Sequence, residues 1–141
     1  MTISRREALL VGAGGLVAGA AVALPLPVMA AAEDAIAAFT GGAEMAEGGI
    51  TLDAPEIAEN GNTVPVGFDA PGAVEVAIFA LGNPNPEVAV FKFGPMAGSQ
   101  SAKTRIRLAK TQDVVAVAKM ADGSFASARR AVKVTIGGCG G

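Results

Sequence analysis

The chain has 141 residues, 13 acidic against 11 basic, one Cys and no His, Trp or Tyr. That length suits one domain, and without His the usual zinc, copper and haem sites, a Ser-His-Asp triad and a Cys-His pair are all excluded. A lone Cys rules out an internal disulfide, and a net charge of −2 with 4% aromatics leaves no basic stacking face for nucleic acid.

Residues 1–30 read as an export signal. Arg5 and Arg6 precede an uncharged run from Ala8 to Ala32 that ends in small residues. Paired Arg before a weakly apolar segment is the pattern of the twin-arginine route. Gly12, Gly14, Gly15 and Gly19 dilute the run, and Ala8 departs from the Phe or Leu common there. The run is long enough to span roughly 30 Å of hydrocarbon as a retained helix. Its glycines, prolines and alanine-rich end favour cleavage instead, after Ala30 or after Ala32, with Ala30 preferred. The expectation is a periplasmic domain with no membrane attachment after cleavage. A dinucleotide-loop lookalike at Gly12, Gly14 and Gly15 lacks its final glycine and a preceding strand, and lies inside the signal.

Residues 31–136 are expected to form one all-β domain with a short N-terminal helix. Residues 33–39 give about two helical turns, stopped by Gly41 and Gly42. From Ile50 the period becomes strand-like: 50–58, 63–68, 73–81, 87–93, 103–109, 113–121 and 124–136. Turn residues separate them, among them Asn60-Gly61, Pro71-Gly72, the loop 82–86 with its two prolines, and Asp122-Gly123. In this reading Val74, Val76 and Ile78 share one face, and Val132, Val134 and Ile136 point inward. About seven short strands predict an immunoglobulin-like β-sandwich.

The domain ends in Gly137-Gly138-Cys139-Gly140-Gly141. Four glycines around one thiol make residues 137–141 a slim, flexible arm. No Lys, Arg or His lies near Cys139 in sequence, so nothing local activates it as an enzyme's own nucleophile. Two readings stand: a carrier thiol that works inside a partner's site, or an exported interaction module whose tail cysteine makes an intermolecular disulfide.

The terminal pentapeptide, the segment from Ile50 to Gly61, Thr104-Arg105-Ile106-Arg107-Leu108, and the stretch from Val114 through Asp122-Gly123-Ser124-Phe125 resemble the SoxY family. Its members are the sulfur-carrier subunits of the Sox thiosulfate-oxidation system, and the twin-arginine signal fits them. The resemblance implies that Cys139 carries sulfur intermediates covalently. It implies a SoxZ heterodimer partner and transient docking to a haem protein, a dimanganese sulfate hydrolase and a molybdenum–haem sulfane dehydrogenase. It also implies a carrier that binds none of these cofactors itself and is not an enzyme.

Other residues make weaker claims. Lys103, Arg105, Arg107 and Lys110, and likewise Arg129, Arg130 and Lys133, read as solvated strand faces. Met45, Met96 and Met120 read as packing or surface residues. The carboxylate pairs Glu33/Asp34 and Glu56/Glu59 have no companion base.

Overall fold

The computed structural model describes residues 26–138, one helix followed by nine strands. Arg5 and Arg6 of the expected signal, and Cys139, Gly140 and Gly141 of the expected arm, lie outside the described residues.

Helix α1 (Leu26–Thr40) is alanine-rich, which favours helix intrinsically. It begins ahead of both proposed cleavage positions, so it is longer than the two turns expected from sequence. It stops where expected: Gly41 takes a φ of 67°, and the Gly42 N–H donates to the Ala37 carbonyl at 3.2 Å. That bond satisfies a carbonyl the ended helix would otherwise orphan. Ala32, Ala35, Ile36 and Phe39 recur at helical spacing, and the last three pack on Phe79 and its neighbours.

The strands are β1 (Met45–Glu47), β2 (Thr51–Asp53), β3 (Ile57–Ala58), β4 (Val64–Asp69), β5 (Ala73–Ala80), β6 (Glu87–Lys92), β7 (Ser101–Ile106), β8 (Gln112–Met120) and β9 (Phe125–Val134). The larger sheet has the order β1-β9-β8-β5-β6, with β3 also on β9; the smaller is β2-β4-β7. This is the expected immunoglobulin-like sandwich, with α1 as a third layer on the outer face of the larger sheet.

Nine strands rather than seven arise at two places. The short β1 runs parallel to the start of β9, pairing Met45 with Phe125. The single strand expected over 50–58 is broken near Pro55: β2 pairs with β4 in the small sheet, and β3 pairs in parallel with the end of β9. Proline removes a ladder donor, so the chain changes sheets there. Pro65 in β4 is tolerated because β2 reaches only as far as Gly67, leaving the proline paired on the β7 side alone.

The inter-sheet core gathers Leu52, Val64, Phe68, Leu108, Val76, Ile78, Val114 and Val132. The opposite face of β5 and β8 presents Ala77, Phe79, Val115 and Val117 to α1. Both faces of these strands are covered, which is why 76–80 and 114–118 read as unbroken apolar runs. Phe79 is fully buried, a contribution of about 2–3 kcal/mol. Phe39 meets Phe79 and Phe125 edge-on, with ring centroids 6.1 and 6.0 Å apart.

Two side-chain expectations are corrected. Val74 is exposed and does not share the face of Val76 and Ile78, because the β5–β8 register shifts between Ala73 and Glu75. Ile136 points to solvent with 67% of its surface exposed, because β9 has ended at Val134. The hairpin at Asp122-Gly123 forms as expected: Gly123 has φ 87°, and Met120 and Ser124 close the turn through Met120 N–H to Ser124 O at 2.8 Å.

Candidate functional site

The sequence leads one to expect the chemistry at Cys139, so the route by which the chain reaches Gly138 is the described part of that candidate site. Beyond β9 the backbone continues between two loops. On one side lie residues 56–61: Lys133 N–H donates to Glu56 O at 2.8 Å, Thr135 N–H to Ala58 O at 3.0 Å, and Gly61 N–H to Ile136 O at 2.7 Å. The Thr135 hydroxyl adds a bond to Glu59 O at 2.9 Å. On the other side lie residues 108–111. The Val134 N–H donates to Thr111 Oγ1 at 2.9 Å, and the Gly138 N–H donates to Leu108 O at 2.8 Å. The two loops also touch each other, Leu108 N–H donating to Gly61 O at 2.7 Å.

Glycine is required by this closeness rather than by backbone angle. A Cβ on Gly61 would collide with Leu108 O and lie 2.7 Å from Gly138 N. A Cβ on Gly138 would lie 2.7 Å from Gly61 O, and one on Gly137 would collide with Ala109 O. Of the arm expected over 137–141, Gly137 and Gly138 fall among the described residues. Gly138 is hydrogen-bonded between the loops, and Gly137, though exposed, runs too close to Ala109 O to admit a Cβ.

The 107–112 loop is in turn held by Asn83. Its side chain is fully buried, donating to Arg107 O at 2.7 Å and accepting from Ala109 N–H at 3.0 Å and Gln112 Nε2 at 2.8 Å. Gln112 Oε1 also accepts the Gly82 N–H at 2.8 Å. Asn83 thus saturates a loop whose part-buried Arg107 carbonyl and Ala109 N–H take no other partner among the described residues. The sequence marked Gly61 and Asn83 only as turn and loop residues. Their link to the C-terminus depends on partners far away along the chain, and no local pattern reports it.

The remaining polar residues behave as solvated surface. Lys103, Arg105, Arg107, Lys110, Arg130 and Lys133 are exposed. Arg129, also largely exposed, forks onto Asp113 Oδ2 across β8 and β9, a surface pair of small energetic weight. Met96 is exposed, whereas Met45 and Met120 pack against the two cores. A groove of about 590 Å³ opens between α1 and the β1/β9 edge, lined by Met29, Ile36, Met45, Ile50 and Arg129 among others. It adjoins the first half of β9, whereas Gly138 follows the strand's far end. Among the described residues no helix is long and apolar enough to cross a membrane.

Residues 36–139 match the family described as sulfur oxidation protein SoxY. The sulfur carrier protein SoxY from Chlorobium limicola f thiosulfatophilum is 42% identical in sequence and superposes with a TM-score of 0.64. The match covers 74% of this chain and 96% of that one. A variant of superoxide reductase (neelaredoxin) from Ignicoccus hospitalis superposes with a TM-score of 0.54 at 19% identity, covering 67% of this chain and 84% of that one. That likeness is one of fold alone. No curated protein matches the chain by sequence. The family match extends through the packed glycines to Cys139 and, with the Chlorobium structure, makes this chain a member of the SoxY sulfur-carrier family.

Proposed function

We propose that this chain is a periplasmic carrier that holds thiosulfate-derived sulfur covalently on Cys139 while separate Sox enzymes process it. The observation that carries this reading is the junction of a close-packed main chain with the chain's only thiol. Gly138 is hydrogen-bonded to Leu108, and the residue that follows is Cys139. Its neighbours in sequence are glycines, and no histidine in the chain can serve as its base. Activation therefore falls to the partner's site.

The chemistry proposed for Cys139 has two steps. The thiolate joins the outer sulfur of thiosulfate, forming Cys–S–S–SO3⁻ as two electrons pass to the haem partner. Water then cleaves the terminal S–S bond, leaving Cys–S–S⁻ and releasing sulfate and two protons. The persulfide is the substrate for the sulfane dehydrogenase. SoxZ is the proposed heterodimer partner, and export by the twin-arginine signal at Arg5 and Arg6 the proposed route.

Intact mass of the protein from thiosulfate-grown cells, taken before and after mild reductant, tests this. Reductant-labile additions in steps of sulfur or sulfonate, absent from Cys139→Ser, are expected. A single unmodified species, or only a symmetric disulfide dimer, with the other Sox proteins present, would overturn it in favour of an interaction module.

A further inference from the structure

We propose that Gly61 and Asn83 are positioning residues of an exit clamp that fixes the origin of the arm at Gly138. The clamp is a matter of geometry; its use in presenting sulfur rests on the carrier reading above.

Three observations converge on it. The loop containing Gly61 binds both flanks of the exit: its N–H holds Ile136 O and its C=O holds Leu108 N–H, each at 2.7 Å. Leu108 O completes the circuit by accepting the Gly138 N–H at 2.8 Å. The Leu108 loop is in turn braced from inside by the fully buried Asn83, which holds Arg107 and Ala109 on either side of Leu108. The closed ring of main-chain bonds thus has one face secured against a rigid polar post. The other depends on a residue that tolerates no side chain.

The consequence for delivery is dimensional. Were the chain free from Ile136, the thiol's origin would wander by about 7 Å more, at ~3.3–3.6 Å per extended residue. With Gly138 held, the Cys139 Cα lies ~3.8 Å from a fixed atom. Shortening the free segment trades reach for orientation, which favours a reactant that must enter a partner's site in one pose.

Cys139 is the chain's only cysteine, so a nitroxide placed on it is unique. Paramagnetic broadening of amide signals at residues 60–62 and 107–110 reads its mean distance from the clamp. Gly61→Ala is expected to weaken this broadening several-fold and to speed amide exchange at Gly138, with the strands unchanged. Gly137→Ala, which collides with Ala109 and lies beyond the last strand, is expected to do the same, and Asn83→Ala more mildly. Leu52→Ala, a core truncation away from the exit, serves as the control: it lowers the melting temperature and keeps the broadening pattern. Broadening unchanged in both glycine variants, or lost equally in Leu52→Ala, would overturn the clamp. The readout needs no sulfur adduct, so the clamp and the carrier reading stand or fall separately.

Discussion

Gly61 and Gly138 are separated by most of the domain in sequence yet touch main chain to main chain. A Cβ on Gly61 would lie 2.7 Å from Gly138 N, and one on Gly138 would lie 2.7 Å from Gly61 O. Neither backbone has room to retreat, because each is bonded to Leu108. The two glycines therefore act as a matched pair.

Gly138→Val should break the Gly138–Leu108 bond and expel the terminal segment. One net hydrogen bond is worth about 1 kcal/mol, so the chemical-denaturation midpoint should fall slightly while the slope stays constant. Gly140→Val should leave the midpoint unchanged. Both should block enzymatic processing of Cys139 if partners admit only a slim arm; a structural disulfide would tolerate either. Urea unfolding and adduct mass after exposure to the partner enzymes check the pair.

Asn83→Ala should be the costlier change. It strips Arg107 O and Ala109 N–H of their partner inside the protein. Both bonds are part-buried, so each orphaned group costs about 1 kcal/mol, towards the low end for unpaired groups, and a loss of roughly 1–3 kcal/mol is expected by urea unfolding. A loss within experimental error would mean that water replaces the amide.

Asp122 offers a titration test. The Ser124 hydroxyl donates to its Oδ1 at 2.6 Å and the Ser124 N–H at 2.9 Å, and these bonds hold the carboxyl below its ordinary value of 3.8. A depressed carboxyl supports the folded state above its unfolded-chain value and loses that support as pH falls through the lower, folded value. Ser124→Ala should raise the Asp122 titration point towards 3.8, read by carboxyl NMR shifts, with a slight loss of stability near neutrality that vanishes at pH below the folded value. An unmoved titration point would contradict the assigned cause.

Export is tested at Arg5 and Arg6. Twin-arginine export moves folded cargo, and a partner that folds onto this chain would share its signal. Replacing both residues with Lys should leave SoxZ in the cytoplasm along with this chain, as read by fractionation. Normal export of SoxZ would remove the shared-signal hypothesis.

The sandwich was legible because its strands are short, alternate well in 63–68 and 103–108, and are punctuated by Pro71-Gly72 and Asp122-Gly123. The doubly covered strands β5 and β8 were readable as strands, but not by face. A continuous apolar run carries no alternation, and the bulge that turns Val74 outward has no sequence mark. The change of sheet at Pro55 was hidden for the same reason: proline announces an interruption without saying which sheet each side joins. Cys139 stood out by being single and glycine-flanked. Gly61 and Asn83 did not, since a turn glycine and a loop asparagine look alike whether or not a distant carbonyl needs them. Glycine at 137 and 138 reads from sequence as slack alone; the carbonyls of Ala109 and Gly61 that would meet a Cβ there come from distant loops.

The ring around Gly138 is made of amides and carbonyls alone, and its inner post is a carboxamide. None of these groups gains or loses a proton in water near neutrality, and none carries a net charge for dissolved ions to screen. Changes of acidity or salinity around the protein therefore have little hold on this junction. Acid released by sulfur oxidation would leave the grip on the thiol's tether unchanged.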